Sequence, residues 1–273
     1  MRLDEYIFKN NLAKSRSKAK EMIINGYISV NDIISRKPSY DVKLSDKIKI
    51  IDNPYQEFVS RGGLKLKKAL ELFNIDLTNK VVLDIGSSTG GFTDCCLKHN
   101  AKMVYALDVG TNQLDVSLLN NKQVVSLENL NFKDSSIKNY PLTNFIVSDV
   151  SFISIKQILL KIKKEFSNID MVILYKPQFE TENKYLNKNG VVSQKKIHYY
   201  LINSFIKFLY DENYKVLNFT YSPLLGHHQG NIEYLFYLSL NNQVSNKNLS
   251  IDFYKIIDEA FNYFKGMKWC LNN

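Results

Sequence analysis

The stretch Lys80-Val-Val-Leu-Asp-Ile-Gly-Ser-Ser-Thr-Gly-Gly-Phe-Thr-Asp94 constrains the fold of this chain more than any other. An apolar run from Val81 to Leu83 ends in Asp84. A loop of small residues follows, with Gly86, Gly90 and Gly91, and helical patterning resumes at Phe92. A buried strand, a tight turn and a helix N-terminus in succession bring bare backbone close to a nucleotide. The spacing Gly86-x-x-x-Gly90-Gly91 is not the dinucleotide fingerprint G-x-G-x-x-G, so a dehydrogenase is not the first reading. An acidic strand end followed by such a turn suits a ligand carrying positive charge, for example S-adenosylmethionine. Many α/β proteins use the same turn for packing alone, and on these residues both readings stand.

The pattern then repeats. Apolar runs at Met103 to Leu107, Val124 to Leu127, Phe145 to Val147 and Met171 to Tyr175 read as strands, and Asp108, Asp149 and Lys176 fall at or just past three of their ends. Helical spacing covers Thr111 to Leu119, Ile153 to Phe166 and Ser193 to Leu209. Two further strands are expected at Val216 to Tyr221 and Tyr234 to Leu240, with a closing helix from Ile251 to Phe264. Alternating strands and helices predict a mostly parallel sheet of seven strands with helices on both faces. The last two strands, a dozen residues apart, predict an antiparallel finish at one edge. This α/β domain is expected over 61–273, opening with Ser60-Arg61-Gly62-Gly63-Leu64-Lys65-Leu66 and a helix through Phe73, behind a linker at 53–60.

Residues 1–52 have a different character. Helical spacing runs from 2 to 24, with Ser15 as N-cap of a second helix, and Gly26 stops it. Tyr27 to Val30, Val42 to Leu44 and Lys47 to Ile50 alternate as strands. Residues 1–68 carry 15 Lys or Arg against 8 Asp or Glu, whereas the rest of the chain carries 21 against 19. Most of the formal charge of +9 thus sits in one quarter of the chain, which points to a polyanion-binding module on a nearly neutral body. No apolar stretch is long enough to span a bilayer, and Met-Arg-Leu-Asp-Glu lacks the apolar segment of a signal peptide. Cys95, Cys96 and Cys270 show no metal-ligand spacing and are expected as buried, reduced thiols of a cytoplasmic protein.

Ligands of open parallel sheets sit beyond the carboxyl ends of the strands. Asp84, Asp108, Asp149, Lys176 and Glu233, the last in Gly230-Asn231-Ile232-Glu233-Tyr234, all fall at one such edge. Singly, each is an ordinary salt-bridge partner; their shared edge is the signal. His227 and His228 are adjacent, point apart on an extended chain and have no third ligand at suitable spacing, so no metal site is expected.

Arg2-Leu3-Asp4, Ser15-Arg16-Ser17-Lys18-Ala19, Gly26-Tyr27-Ile28 and Val30-Asn31 resemble the S-four-type RNA-binding domain, with Asp32 where Gly is frequent. The motifs Ser60 to Leu66, Asp84-Ile85-Gly86-x-x-x-Gly90-Gly91-Phe92-Thr93, Asp149-Val150-Ser151-Phe152-Ile153-Ser154, Lys176-Pro177-Gln178-Phe179-Glu180 and Gly230-Asn231-x-Glu233-Tyr234 together resemble the TlyA family. Its members are rRNA 2′-O-methyltransferases, historically labelled hemolysins, with an FtsJ-like catalytic domain. The resemblance implies a Rossmann-like S-adenosylmethionine-dependent methyltransferase fold and a catalytic tetrad at Lys65, Asp149, Lys176 and Glu233. It implies a cofactor pocket at Asp84, Gly86, Ser88, Gly90, Gly91, Phe92, Asp108, Asn131 and Asp149, within which Glu128 to Lys133 is one segment. It further implies RNA contacts at Arg2, Arg16, Lys18, Lys20 and Arg61, and ribosomal subunits as partners, with cytidine as the target. The tetrad is chemically apt: a ribose hydroxyl must be held in line with a sulfonium methyl and relieved of its proton. Two alternatives are a membrane-active cytolysin, as the older name suggests, and an rRNA-binding assembly factor without catalysis.

Overall fold

A computed structural model describes residues 1–13, 15–24, 26–51, 57–226, 230–245 and 250–269. The His227-His228 pair, Cys270 and residues 53–56 of the expected linker lie outside the described residues. The chain forms two compact units, Met1–Glu57 and Phe58–Asn273.

In the first unit, helices α1 (Leu3–Lys9) and α2 (Arg16–Ile24) precede a small antiparallel sheet of order β2-β1-β3. Its strands are β1 (Ile28–Val30), β2 (Ile33–Ile34) and β3 (Ile48–Ile50). Ser15 caps α2 by accepting the Lys18 amide at 3.1 Å. Leu3, Ile7, Ala19, Met22, Ile23, Ile28 and Val30 form the core. Two sequence expectations change here. Val42 to Leu44 is a turn rather than a strand, because the Asp46 carboxylate accepts the Lys43 amide at 2.9 Å and bends the chain back. The strand opposite β1 is instead β2, reached through Asn31 and Asp32 at φ 54° and 64°. Two successive left-handed residues make the turn whose twist matches a tight hairpin, and Asp tolerates that conformation better than most residues. The Asn31 side chain secures the turn, donating to Asp46 at 2.8 Å and accepting the Lys47 amide at 2.9 Å.

The second unit begins with α3 (Gly62–Phe73), then β4 (Val81–Ile85), α4 (Gly91–Lys98), β5 (Met103–Leu107), α5 (Val116–Leu119), β6 (Val124–Leu127) and β7 (Phe145–Ser148). It continues with α6 (Ile155–Glu165), β8 (Asp170–Tyr175), α7 (Lys195–Asp211), β9 (Lys215–Tyr221), β10 (Tyr234–Ser239) and α8 (Phe253–Trp269). The seven strands lie in the order β6-β5-β4-β7-β8-β10-β9; β4 to β8 pair in parallel, and β10 runs antiparallel to both β8 and β9. The chain works outward from β4 through β5 to β6 and then returns to the other side of β4 as β7. That reversal leaves a crevice at the carboxyl ends, where ligands of such sheets bind.

Strand alternation divides the core. Val82, Val104, Val147, Val172, Leu174 and Leu235 pack with residues of α3 and α4, while Leu83, Tyr105, Ile146, Ile173 and Phe236 pack with α6, α7 and α8. The helix expected over Thr111 to Leu119 shrinks to α5. Its first half is held otherwise: Asn112 is left-handed at φ 54°, the Glu128 carboxylate accepts the amides of Asn112 and Gln113, and Asp115 caps α5 through the Ser117 amide.

Candidate active site

Three strands bring the charged residues together by parity. Asp149, Lys176 and Glu233 lie an even number of positions from Val147, Leu174 and Leu235, the residues that face α3 and α4. Lys65 projects from α3, buried in the same stripe as Leu66, Ala69 and Leu70. Lys65 Nζ donates to Glu233 Oε2 at 2.7 Å and lies 3.5 Å from Asp149 Oδ2. Lys176 Nζ lies 2.7 Å from Asp149 Oδ1 and donates to Ser151 Oγ, also at 2.7 Å. The result is a row of alternating charge, Glu233–Lys65–Asp149–Lys176. Both lysines and the glutamate are buried, with Lys65 5%, Lys176 8% and Glu233 2% exposed.

Burial alone would push the Asp149 carboxyl up, but the cations of Lys176 and Lys65 outweigh it and bring it down to about 2. Burial likewise opposes the charge on Lys65; Asp149 and Glu233 overcome it and raise the ammonium above its ordinary value, with Arg61 acting the other way. Gln178 Nε2 also reaches Glu233 at 3.4 Å.

The glycine loop lies at the same edge. Gly90 sits at φ 92° against α5, where an added Cβ would stand 2.2 Å from a Leu118 methyl. An added Cβ on Gly91 would come within 2.9 Å of the Gly63 nitrogen, so these glycines allow the starts of α3 and α4 to touch. Asp84 is not at the end of its strand: it pairs within β4 against Ala106 and Val147 and is fully buried. Thr93 Oγ1 donates to its Oδ2 at 2.7 Å, and Oδ1 is buried without a hydrogen-bond partner. Burial pushes its carboxyl up to about 7, against the Thr93 hydrogen bond and with Asp149 and Asp108 adding to the rise. Asp108 is held by two amides, Ser88 N on Oδ2 at 2.7 Å and Gly110 N on Oδ1 at 2.8 Å. Each Asp108 oxygen retains a second lone pair for a hydroxyl. Asn131 is exposed and caps a short 3₁₀ turn through the Lys133 amide; the Lys133 ammonium is taken by Gln157. The Phe92 ring is buried in the core between sheet, α3 and α4, leaving only its backbone at the loop. Cys95 and Cys96 are buried free thiols.

An unpartnered buried carboxylate oxygen, a carboxylate fixed for hydroxyl recognition and a turn of glycines fit a cationic nucleoside such as S-adenosylmethionine. Sequence reasoning passed over Ser151 and Phe152, although both lie inside a quoted motif. Phe152 is left-handed at φ 62° and 92% exposed, its ring 5.2 Å from that of Phe179.

In the first unit, Arg2 and Arg16 share the buried Asp4, with Nε to carboxylate distances of 2.9 and 3.3 Å. The Arg2 hydrogen bond, against burial and with Arg16 assisting, lowers Asp4 to about 2. Both guanidiniums stay about half exposed, Lys20 is exposed and Lys18 half-buried, all on α1, its N-terminal flank or α2. Arg61 immediately precedes α3 in the second unit and is half-buried.

Comparison with known proteins assigns both parts of the chain to families. The chain matches the S4 domain over residues 1–48 and FtsJ-like methyltransferases over residues 58–240. It belongs to the FtsJ-like methyltransferase family, with an S4 domain ahead of the methyltransferase domain. Hemolysin A of Brachyspira hyodysenteriae is 45% identical over 238 residues, spanning 86% of this chain and 98% of that protein. The 23S rRNA (cytidine-2'-O)-methyltransferase TlyA of Campylobacter jejuni is 35% identical over 260 residues, spanning 88% of this chain and all of that protein. A solved structure described as a hemolysin from Streptococcus thermophilus superposes with a TM-score of 0.78 at 34% identity and covers 98% of each chain.

Proposed function

We propose that this protein methylates the 2′-hydroxyl of a cytidine ribose in ribosomal RNA, with S-adenosylmethionine as donor. The observation that carries the reading is Asp149 bridging Lys65 and Lys176 beside the glycine loop. When bound, S-adenosylmethionine supplies an electrophilic methyl group on sulfonium sulfur. Asp84, Gly86, Ser88, Gly90, Gly91, the Phe92 backbone, Asp108 and Asn131 would hold it, the buried Asp84 oxygen offering a site for positive charge.

The remaining chemistry belongs to the side chains. Holding the hydroxyl in line with the methyl group is worth about 7–11 kcal/mol in well-oriented systems. Lys65 is wedged between two carboxylates and remains a fixed cation that steadies the developing charge on oxygen. Lys176 shares a single carboxylate and is the amine placed to take the hydroxyl proton. Asp149 fixes both amines, and Glu233 fixes Lys65. Phe152 presents an uncovered aromatic face at the cleft, suited to stacking on an extruded base.

The basic S4 domain supports an RNA partner, in keeping with a 2′-hydroxyl target, which only RNA possesses. Cytidine in the large-subunit rRNA is the target named for the Campylobacter relative, and it is the first to test here. The setting is the cytoplasm, where ribosomal subunits are found. Among the described residues no helix is long and apolar enough to cross a membrane, and none of these features serves lysis. The test is to incubate the protein with isolated ribosomal subunits and labelled S-adenosylmethionine, then map the modified ribose. Label on a cytidine 2′-oxygen supports the reading; label on a base, or none, overturns it.

A further inference from the structure

A proton taken from the ribose has to leave a lysine that is almost sealed from water, since Lys176 is 8% exposed. Asp149 is a poor exit: both its oxygens are engaged by cations, Lys176 on Oδ1 and Lys65 on Oδ2. Lys65 is itself cationic and paired with Glu233. Arg61, whose charge acts against that of Lys65, adds positive rather than basic character, and Glu180 is occupied elsewhere. The other group on Lys176 is Ser151 Oγ at 2.7 Å, on a residue that is exposed.

That serine is held in place. Residues 149–155 and 176–180 are joined at three successive points. Lys176 meets Asp149 and Ser151, the Phe179 ring meets Phe152, and Glu180 accepts from Ser154 Oγ at 2.8 Å and from the Ile155 amide at 2.6 Å. Ser151 is therefore fixed between a buried amine and solvent.

Resting on the function proposed above, we propose that Ser151 is a positioning residue that also relays the reaction proton from Lys176 to water. As the ribose oxygen forms its bond to the methyl carbon, the carbon–sulfur bond breaks and its electron pair stays on sulfur. The 2′-hydroxyl proton passes to Lys176 Nζ, which has first given one ammonium proton to Ser151 Oγ while the serine's own proton passed to water. The lysine ends the turnover as the ammonium that pairs with Asp149. A hydroxyl, able to accept and donate at once, is the minimum chemistry for this step.

The test is single-turnover methyl transfer into isolated ribosomal subunits by the full-length protein, run in H2O and in D2O. Ser151→Ala is expected to slow transfer about tenfold or more and to enlarge the solvent isotope effect, while Ser151→Thr keeps the hydroxyl and stays within about twofold of wild type in both. The relay is overturned if Ser151→Ala transfers at the wild-type rate, or slows with an unchanged isotope effect, which marks a purely anchoring role. Should the wild-type protein place no methyl group on a ribose 2′-oxygen in the same assay, the proposed function itself fails. Retained S-adenosylmethionine affinity in Ser151→Ala shows that the variant is folded.

Discussion

Lys65 and Glu233 are 168 positions apart in the chain, yet Nζ and Oε2 lie 2.7 Å from each other in the interior. Removing one partner of a buried ion pair leaves the other charge uncompensated, at a cost of about 3–5 kcal/mol. Glu233→Gln keeps the shape and removes the charge, and Lys65 retains only the more distant Asp149. The variant should therefore lose about 3 kcal/mol of stability and at least about tenfold in methyl transfer. Chemical denaturation with single-turnover kinetics checks both.

Lys176→Ala should reduce methyl transfer at least about a hundredfold with cofactor affinity nearly unchanged, as expected when an acid–base group is lost. Lys176→Arg should be no better, because a guanidinium cannot take up the proton. An unaltered rate in Lys176→Ala would remove the lysine from the mechanism.

Asp84 makes stability depend on pH in a defined direction. Its folded carboxyl keeps a proton up to about pH 7, whereas the unfolded one loses it near 3.8. The folded state therefore binds more protons in that window, and stability falls as pH rises through it, by up to about 1.4 kcal/mol per unit, then levels above pH 7. Buried His198, lowered by burial to about 4 against a hydrogen bond to the Val192 carbonyl, contributes with the opposite sign between there and 6.5. The quantity to measure is therefore the difference between wild type and Asp84→Asn in urea unfolding from pH 5 to 8. A difference independent of pH would contradict the burial of this carboxyl.

Phe152 separates folding from function. Its left-handed backbone strains a side chain that packs little, so Phe152→Gly should stabilise the protein by about 1 kcal/mol. Loss of a stacking surface worth about 1–3 kcal/mol should at the same time cut kcat/KM on ribosomal subunits about tenfold or more, with cofactor binding unaffected. Thermal unfolding and steady-state kinetics read the two effects.

On the S4 domain, Arg16→Ala should weaken subunit binding and flatten its dependence on log salt concentration by about one unit of slope, as expected for one lost phosphate contact. The rate at saturating subunits should not change. Filter binding across a salt series tests this.

The sheet was legible because its strands are short apolar runs punctuated by glycine and by charge. Asp149 and Lys176 were legible for the same reason: each stands two steps beyond a residue that faces α3. Lys65 and Glu233 were different, since no local period links residues so far apart, and only family resemblance paired them. The half-helix before α5 was lost to Glu128, a side chain competing for the amides that helix spacing assigns to the backbone. The placement of two aromatic residues was not legible. The Phe92 ring, within the glycine-loop motif, lies in the core, and Phe152, between Ser151 and Ile153, stands in solvent on a left-handed backbone.

The antiparallel β10, set between β8 and β9, gives this enzyme a timetable. The glycine loop and Lys65 leave the ribosome more than a hundred residues before Glu233 does. Until β10 is inserted, Lys65 lacks its nearest counter-charge and the sheet has an open edge beside Lys176. A nascent chain of this protein can thus own a cofactor loop without being a catalyst. The ribosome that translates it completes the active site only once Glu233 has followed Lys65 out of the exit tunnel.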